Sequence, residues 1–223
     1  MTEKPRIVAS LGKGALRDVP ATGDADMIEV RLDLEVGDPF GTLKEVRLAA
    51  SKPIIATNRL GAEGGGFKGS ERERIEMLRR SSDYADYLDI ELRAELRDEL
   101  MKRIDKPFIV SYHDFNGMPD LEEMKSILEE MKGIGAAIAK IAVTPSSLKD
   151  NLKLLVFLLE ADMPLCIIAM GEMGRHLRAV APLYGSALTY GYVSQPTAPG
   201  QMSVSELRQA LRLLDPTFSM EAV

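Results

Sequence analysis

Ala136-Ala-Ile-Ala-Lys-Ile-Ala-Val143 reads as a short buried strand between Gly135 and Pro145, with one charged residue, Lys140, at its centre. Working outward, similar apolar runs recur along the chain, giving expected strands at residues 6–10, 27–31, 54–58, 87–91, 108–112, 137–142, 165–169 and 187–191. Amphipathic segments lie between them. Ser70 with Glu73, Asp120 with Glu123 and Ser203 with Glu206 have the spacing of helix capping boxes. Leu121, Met124, Ile127, Leu128 and Met131 form one helical stripe; Val204, Leu207, Leu211 and Leu214 form another. Only a short helix, around residues 15–19, is expected between the first two strands. Eight strands alternating with helices point to a (β/α)₈ TIM barrel, one catalytic domain over residues 1–223. A doubly wound open sheet would use fewer strands, and no Gly-rich dinucleotide turn follows the first strand here.

A composition of 45% hydrophobic and 28% charged residues suits one well-cored soluble domain. The net charge of −6 argues against a non-specific nucleic-acid or anionic-membrane surface, while leaving room for a local basic pocket. Cys166 is the only cysteine, so no internal disulfide forms and a cytoplasmic setting is expected. One cysteine and two histidines do not readily build a structural zinc site. Met1-Thr-Glu-Lys-Pro-Arg6 carries no apolar signal segment. The most hydrophobic region, residues 152–170, is broken by Lys153, Glu160, Asp162 and Pro164, and so is a helix and a strand rather than a membrane span. No exposed apolar stripe is apparent.

Barrel chemistry belongs at the C-terminal ends of the strands. There the chain places Glu29 and Arg31, Arg59, Glu63 in the loop Gly61-Ala-Glu-Gly-Gly-Gly66, Asp89 and Glu91, His113, Lys140, Arg178 and Gln201. Each alone has a plain structural explanation: a solvated ion pair, a strand-end histidine bonded to Asp114, or a lysine held by a carboxylate. Together they read differently. Burial, with three arginines on the same rim, would disfavour the ammonium form of Lys140. A neutral, held amine can attack a carbonyl to form a Schiff base. Arginines match a carboxylate, and histidine can shuttle a proton. The residues therefore suggest metal-free, cofactor-free Schiff-base chemistry on a small polar carboxylate. A class I aldolase-like barrel and a non-catalytic carboxylate binder are the alternatives.

In order along nearly the whole chain, Glu29-Val-Arg-Leu-Asp33, Asn58-Arg-Leu-Gly-Ala-Glu-Gly-Gly65, Leu88-Asp-Ile-Glu-Leu92, Ser111-Tyr-His-Asp-Phe115, Lys140-Ile-Ala-Val-Thr-Pro145 and Ala198-Pro-Gly-Gln-Met-Ser203 resemble type I 3-dehydroquinate dehydratase. The resemblance implies a lyase of the shikimate pathway, leading to chorismate and the aromatic amino acids, that turns 3-dehydroquinate into 3-dehydroshikimate. Lys140 would form the imine at C3, His113 would move protons at C2 and the C1 hydroxyl, and Glu63 would orient His113. Arg178 would grip the substrate carboxylate beside Thr197 and Gln201. Glu29, Arg31, Arg59 and Ser10 would hold the ring. The resemblance also implies a homodimer without a metal. Thr197 departs from the usual serine, and Glu172-Met-Gly-Arg-His-Leu177 lacks the serine that commonly precedes the arginine, adding Arg175 and His176 instead. The chain starts close to its first strand, so little or no N-terminal hairpin is expected; after the last expected helix there is no stretch for a fused shikimate dehydrogenase, so a monofunctional enzyme is expected.

Overall fold

Successive side chains of a strand face opposite ways, and this parity divides the hydrophobic residues of the chain between two cores. The computed structural model describes residues 4–215 and Phe218. Its strands are β1 (Arg6–Leu11), β2 (Met27–Arg31), β3 (Ile54–Thr57), β4 (Tyr87–Glu91), β5 (Phe108–Asp114), β6 (Ile138–Val143), β7 (Leu165–Ala169) and β8 (Leu188–Tyr192). They are parallel and follow chain order around the sheet, with β8 returning to pair with β1. The helices are α1 (Ala15–Asp18), α2 (Pro39–Ala49), α3 (Glu71–Ser81), α4 (Arg97–Arg103), α5 (Leu121–Gly133), α6 (Leu148–Glu160), α7 (Gly171–Gly174), α8 (Leu177–Val180) and α9 (Val204–Leu214). The architecture is the expected (β/α)₈ barrel, with each expected strand present to within two residues at its ends. β5 extends furthest beyond expectation, because His113 and Asp114 continue the register opposite Ala142 and Val143.

Ile7, Ala9, Ile28, Val30, Ile54 and their outward-facing equivalents pack beneath the helices. Val8, Met27, Ile55, Ile109, Ile138, Cys166 and Leu188 point inward and plug the lower barrel. One inward step further along the same strands stand Ser10, Glu29, Thr57, Asp89, Ser111 and Lys140, all buried. The barrel thus has an apolar lower plug and a polar upper layer.

Ser70 and Ser203 form complete capping boxes at α3 and α9, each cap contributing about 0.5–2 kcal/mol. Asp120 accepts from the Glu123 backbone at α5 without the return bond. The α9 stripe ends one residue early: Val204, Leu207 and Leu211 are buried, whereas Leu214 is exposed. Helix α6 departs from expectation more strongly. Asn151, Leu154, Phe157 and Leu158 face the barrel, but Leu148, Leu152, Val156 and Leu159 are exposed. Leucines all round this helix hid the stripe, since periodicity alone does not say which of them face inward.

The joint between β7 and β8 is unlike the others. One backbone bond crosses it, from Ala187 N to Leu165 O at 2.8 Å. Side chains supply more: the Ser186 hydroxyl accepts across the joint from Ile167 N at 3.1 Å, while donating within its own segment to Leu188 O at 2.9 Å. The Cys166 thiol donates to Leu188 O at 3.3 Å, and burial pushes it up to about 12, so it stays a thiol.

Candidate active site

A pocket of about 170 Å³ opens at the C-terminal end of the barrel. Ser10, Glu29, Arg31, Arg59, Glu63, His113, Lys140, Arg178, Thr197 and Gln201 all line it, so the structure brings every expected site residue together. Its volume lies below the ~300–1,000 Å³ of drug-sized ligand sites, which suits a small substrate. A larger hollow of about 800 Å³ lies at the opposite end. Among its lining residues are Leu158, Leu165 and Leu183, with no histidine–carboxylate pair.

Lys140 is 6% exposed, and its Nζ donates to Asp89 Oδ2 at 3.0 Å, with Glu29 Oε1 at 3.9 Å. The Tyr190 ring lies beneath it, 4.1 Å from Nζ to the centroid, in cation–π contact. The expected repulsion from three arginines is therefore revised. Carboxylates pair with two of those arginines, and one of them, Asp89, bonds the lysine as well. Arg59 bonds Asp89 at 2.9 Å and Glu91 at 2.9 Å, and Arg31 makes a two-point bond to Asp33 at 2.9 and 2.7 Å. Arg59 is raised because these two carboxylates outweigh its burial. Asp89 is lowered because Arg59, then Lys140, outweigh desolvation.

Asp89 and Glu91 were residues whose part the sequence left open, and Tyr190 was not singled out there. The two carboxylates were visible on the rim, but their partners were not. Arg74, reaching from α3 to Glu91 Oε2 at 2.7 Å and Asn58 O at 2.6 Å, had no sequence signal beyond its helix.

Glu63 meets His113 at two points. Its Oε2 accepts from His113 N at 3.0 Å and lies 2.8 Å from Nδ1. The glycines of its loop make this possible. A Cβ on Gly65 would sit 1.9 Å from Arg59 O, so only glycine lets the loop fold back that closely. Burial pushes Glu63 up to about 7, against the pull of Arg59. Burial, then Arg59 and Lys140, hold His113 well below its ordinary value, leaving a neutral imidazole at neutral pH. Nδ1 faces the carboxylate, so Nε2 is the nitrogen left to act.

Ser10, Glu29, Thr57 and Thr197 form a chain of hydrogen bonds. The Ser10 hydroxyl donates to Glu29, Thr57 donates to Glu29 Oε1 at 2.8 Å, and Ser10 lies 2.9 Å from Thr197 Oγ1. Gln201 Oε1 accepts from Thr197 N at 2.7 Å. The loop after β8 is thereby tied to β1, and the Thr197 hydroxyl makes the bond that ties it.

Arg178 differs from the other two arginines. It is 1% exposed and bonds only carbonyls, Pro199 O at 2.9 Å and Tyr190 O at 3.5 Å. Its Nε has no partner among the described residues. Burial lowers it to about 10. Gly174 explains how it arrives there: a Cβ would stand 2.5 Å from Ala169 C, so α7 packs directly on the end of β7 and carries α8 inward. Arg175 stays outside the pocket, bonding Gln201 O at 3.1 Å and Glu206 at 3.4 Å. His176 is exposed. Among the described residues no cluster of three or more His, Cys, Asp or Glu could hold a metal, and no helix is long and apolar enough to cross a membrane.

Known proteins resemble this chain over nearly its whole length. The family model described as type I 3-dehydroquinase matches residues 10–217. A 3-dehydroquinate dehydratase from Methanothrix thermoacetophila is 56% identical over 94% of this chain and 92% of its own. The crystal structure of 3-dehydroquinate dehydratase from Geobacillus kaustophilus superposes with a TM-score of 0.87 at 30% identity, covering 98% of this chain and 93% of that one. The type I enzyme from Clostridium difficile, solved with covalently modified comenic acid, gives 0.85 at 30% identity, over 96% and 94%. Since the matched span takes in every strand end that builds this pocket, the chain belongs to the type I 3-dehydroquinase family.

Proposed function

We propose that this chain dehydrates 3-dehydroquinate to 3-dehydroshikimate in the shikimate pathway, through an imine on Lys140. The observation that carries the reading is one small pocket holding a buried lysine, a neutral histidine and an arginine without a carboxylate partner. Family membership supports the reaction. Lys140 Nζ attacks the C3 ketone, and one water leaves as the imine forms. His113 Nε2 takes a proton from C2, and the electron pair delocalises into the protonated imine. The same imidazolium then returns a proton to the departing C1 hydroxyl, which leaves as water. Hydrolysis frees Lys140. Glu63 fixes the imidazole through Nδ1. Arg31, Ser10, Glu29 and Arg59 shape the part of the pocket facing the ring. No cofactor or metal enters this scheme. We place the protein in the cytoplasm as a homodimer, with residues 1–223 acting as one catalytic domain. Appearance of the conjugated enone's ultraviolet absorbance on adding 3-dehydroquinate tests the reading; its absence with folded protein sinks it.

Arg178 serves as the carboxylate clamp. A planar guanidinium makes two parallel bonds where lysine offers a point charge. Arg178→Lys should lower kcat/KM at least about 10-fold and Arg178→Ala roughly 10²-fold, as expected for losing a charge-assisted contact of ~1.5–3 kcal/mol. A methyl ester of the substrate should bind poorly to wild type and lose little more in the variant. Equal losses for acid and ester would place the clamp elsewhere.

The Glu63–His113 pair sets a pH dependence. As pH falls through about 7, Glu63 takes up a proton and His113 loses the anion that supports it. Wild-type kcat/KM should therefore fall on that acid side. Glu63→Gln should remove that limb from the pH profile and lower kcat by at least ~10², since a buried carboxylate that orients an imidazole can matter by up to ~10⁴. An unchanged profile in the variant would assign the limb to another group.

A further inference from the structure

We propose that Arg74, on α3 and outside the pocket, is a positioning residue for the imine chemistry: it sets how readily Lys140 gives up its proton, by holding the far end of a buried row of ion pairs. The inference rests on the imine reading above. Glu71, Arg74, Glu91, Arg59, Asp89 and Lys140 alternate in sign from the surface of α3 to the reacting nitrogen. Arg74 bonds Glu71 Oε2 through Nε and Glu91 Oε2 through Nη1, each at 2.7 Å. Arg59 bonds Glu91 Oε1 and Asp89 Oδ1, each at 2.9 Å, and Lys140 Nζ bonds Asp89 Oδ2 at 3.0 Å. Glu91 and Asp89 thus each give one oxygen to either of two cations. All members but Glu71 are buried. Arg74, 1% exposed, also pins the end of β3, donating to Asn58 O at 2.6 Å and accepting at its own carbonyl from Asn58 Nδ2 at 3.3 Å. Arginine is seldom buried this fully without a paired role.

Attack on the ketone begins with loss of the Lys140 proton, which passes to the neutral His113 imidazole and is returned as the water of imine formation departs. That loss takes a cation from beside Asp89, and a buried carboxylate stripped of its partner is costly. Arg59 is free to turn fully to Asp89 only while Glu91 keeps a cation of its own. Arg74 is that cation. Without it, Arg59 alone serves two buried carboxylates, and their field holds the proton on Lys140. Once the iminium forms, positive charge stands beside Asp89 again and the row returns to its resting balance. The titratable and charged groups around Lys140 are Glu29 from β2, Asp89 from β4, His113 from β5, Cys166 from β7 and Tyr190 from β8. Arg59 stands behind Asp89, and Arg31 and Arg178 share the rim. A substitution at Arg74 leaves all of them in place and acts on Lys140 through Glu91 and Arg59.

The test follows inactivation of the full chain by borohydride with 3-dehydroquinate across a pH series. Arg74→Met removes the cation and should move the midpoint of that profile up by about one pH unit, slowing inactivation below it roughly tenfold. Glu91→Gln removes the anion while keeping an acceptor for Arg59, and should move the midpoint down. The two substitutions together cancel in charge and should bring it back towards wild type. Arg79→Met, which breaks an exposed pair with Glu76 on the same helix, should leave it in place. Slower inactivation of Arg74→Met at every pH, with the midpoint unmoved, would reduce Arg74 to a support for Asn58 and overturn the proposal. A Glu91→Gln midpoint that stays or rises would overturn it too, whether or not Arg74→Met folds. So would a double variant that keeps the midpoint of Arg74→Met. Wild type that takes no label at any pH would overturn the imine reading itself, and this inference with it.

Discussion

Lys140→Ala should remove turnover of 3-dehydroquinate by many orders of magnitude, leaving a folded barrel that still binds the substrate. Among the described residues no other lysine lines the pocket, so the proposed imine has no other carrier there. Borohydride added to wild type with substrate should inactivate it and add the mass of the reduced ligand to the peptide containing Lys140. Modification of a different lysine, or none during turnover, ends the imine assignment. Stability should fall as well. Asp89, fully buried, loses one of its two cations but keeps Arg59 and Ser111. The loss should therefore be smaller than the ~3–5 kcal/mol seen when a buried charge is orphaned.

His113→Ala should lower kcat by roughly 10²–10⁴, the range of a positioned acid–base group, without abolishing the fold. Trapping by borohydride should survive, only slower, because the amine and the clamp are still in place. That split distinguishes proton transfer from structural support. A variant that turns over at the wild-type rate removes His113 from the chemistry. Phe115 stacks beside the ring, 6.5 Å between centroids and 17° from parallel, so a His113→Phe control that keeps an aromatic ring there, though a larger one, helps separate packing from proton transfer.

Much of the barrel was legible because strand patterning is local. Apolar runs, cap residues and bounding glycines each act within a few residues, and so the strands appear where expected. The site was legible for a related reason: residues at strand ends share one rim once the barrel is assumed. What stayed hidden was pairing. Nothing near Lys140 in the sequence announces Asp89, fifty-one positions away, and the expected field of three arginines ignored the carboxylates that Arg31 and Arg59 already hold. Arg178 reaches the pocket as expected, but its lack of a carboxylate partner depends on how Gly174 lets α7 pack. The exposed stripe of α6 was missed because a leucine-rich helix gives the same periodicity whichever face is covered.

The joint between β7 and β8 has a mechanical consequence. Backbone ladders resist shear along their whole length, whereas a joint held by one main-chain bond, one hydroxyl bond and one thiol bond yields locally. The segments bearing Arg178, Thr197 and Gln201 hang from the two strands on either side of it. Lys140 and His113 stand on β6 and β5, which share the longest register in the barrel. Under the proposed mechanism, the molecule is therefore stiff where bonds would be made and compliant where the acid would be admitted. Amide exchange should run fastest along the β7–β8 arc and slowest through β5 and β6, so that product can depart by flexure of one wall while the reacting groups keep their alignment.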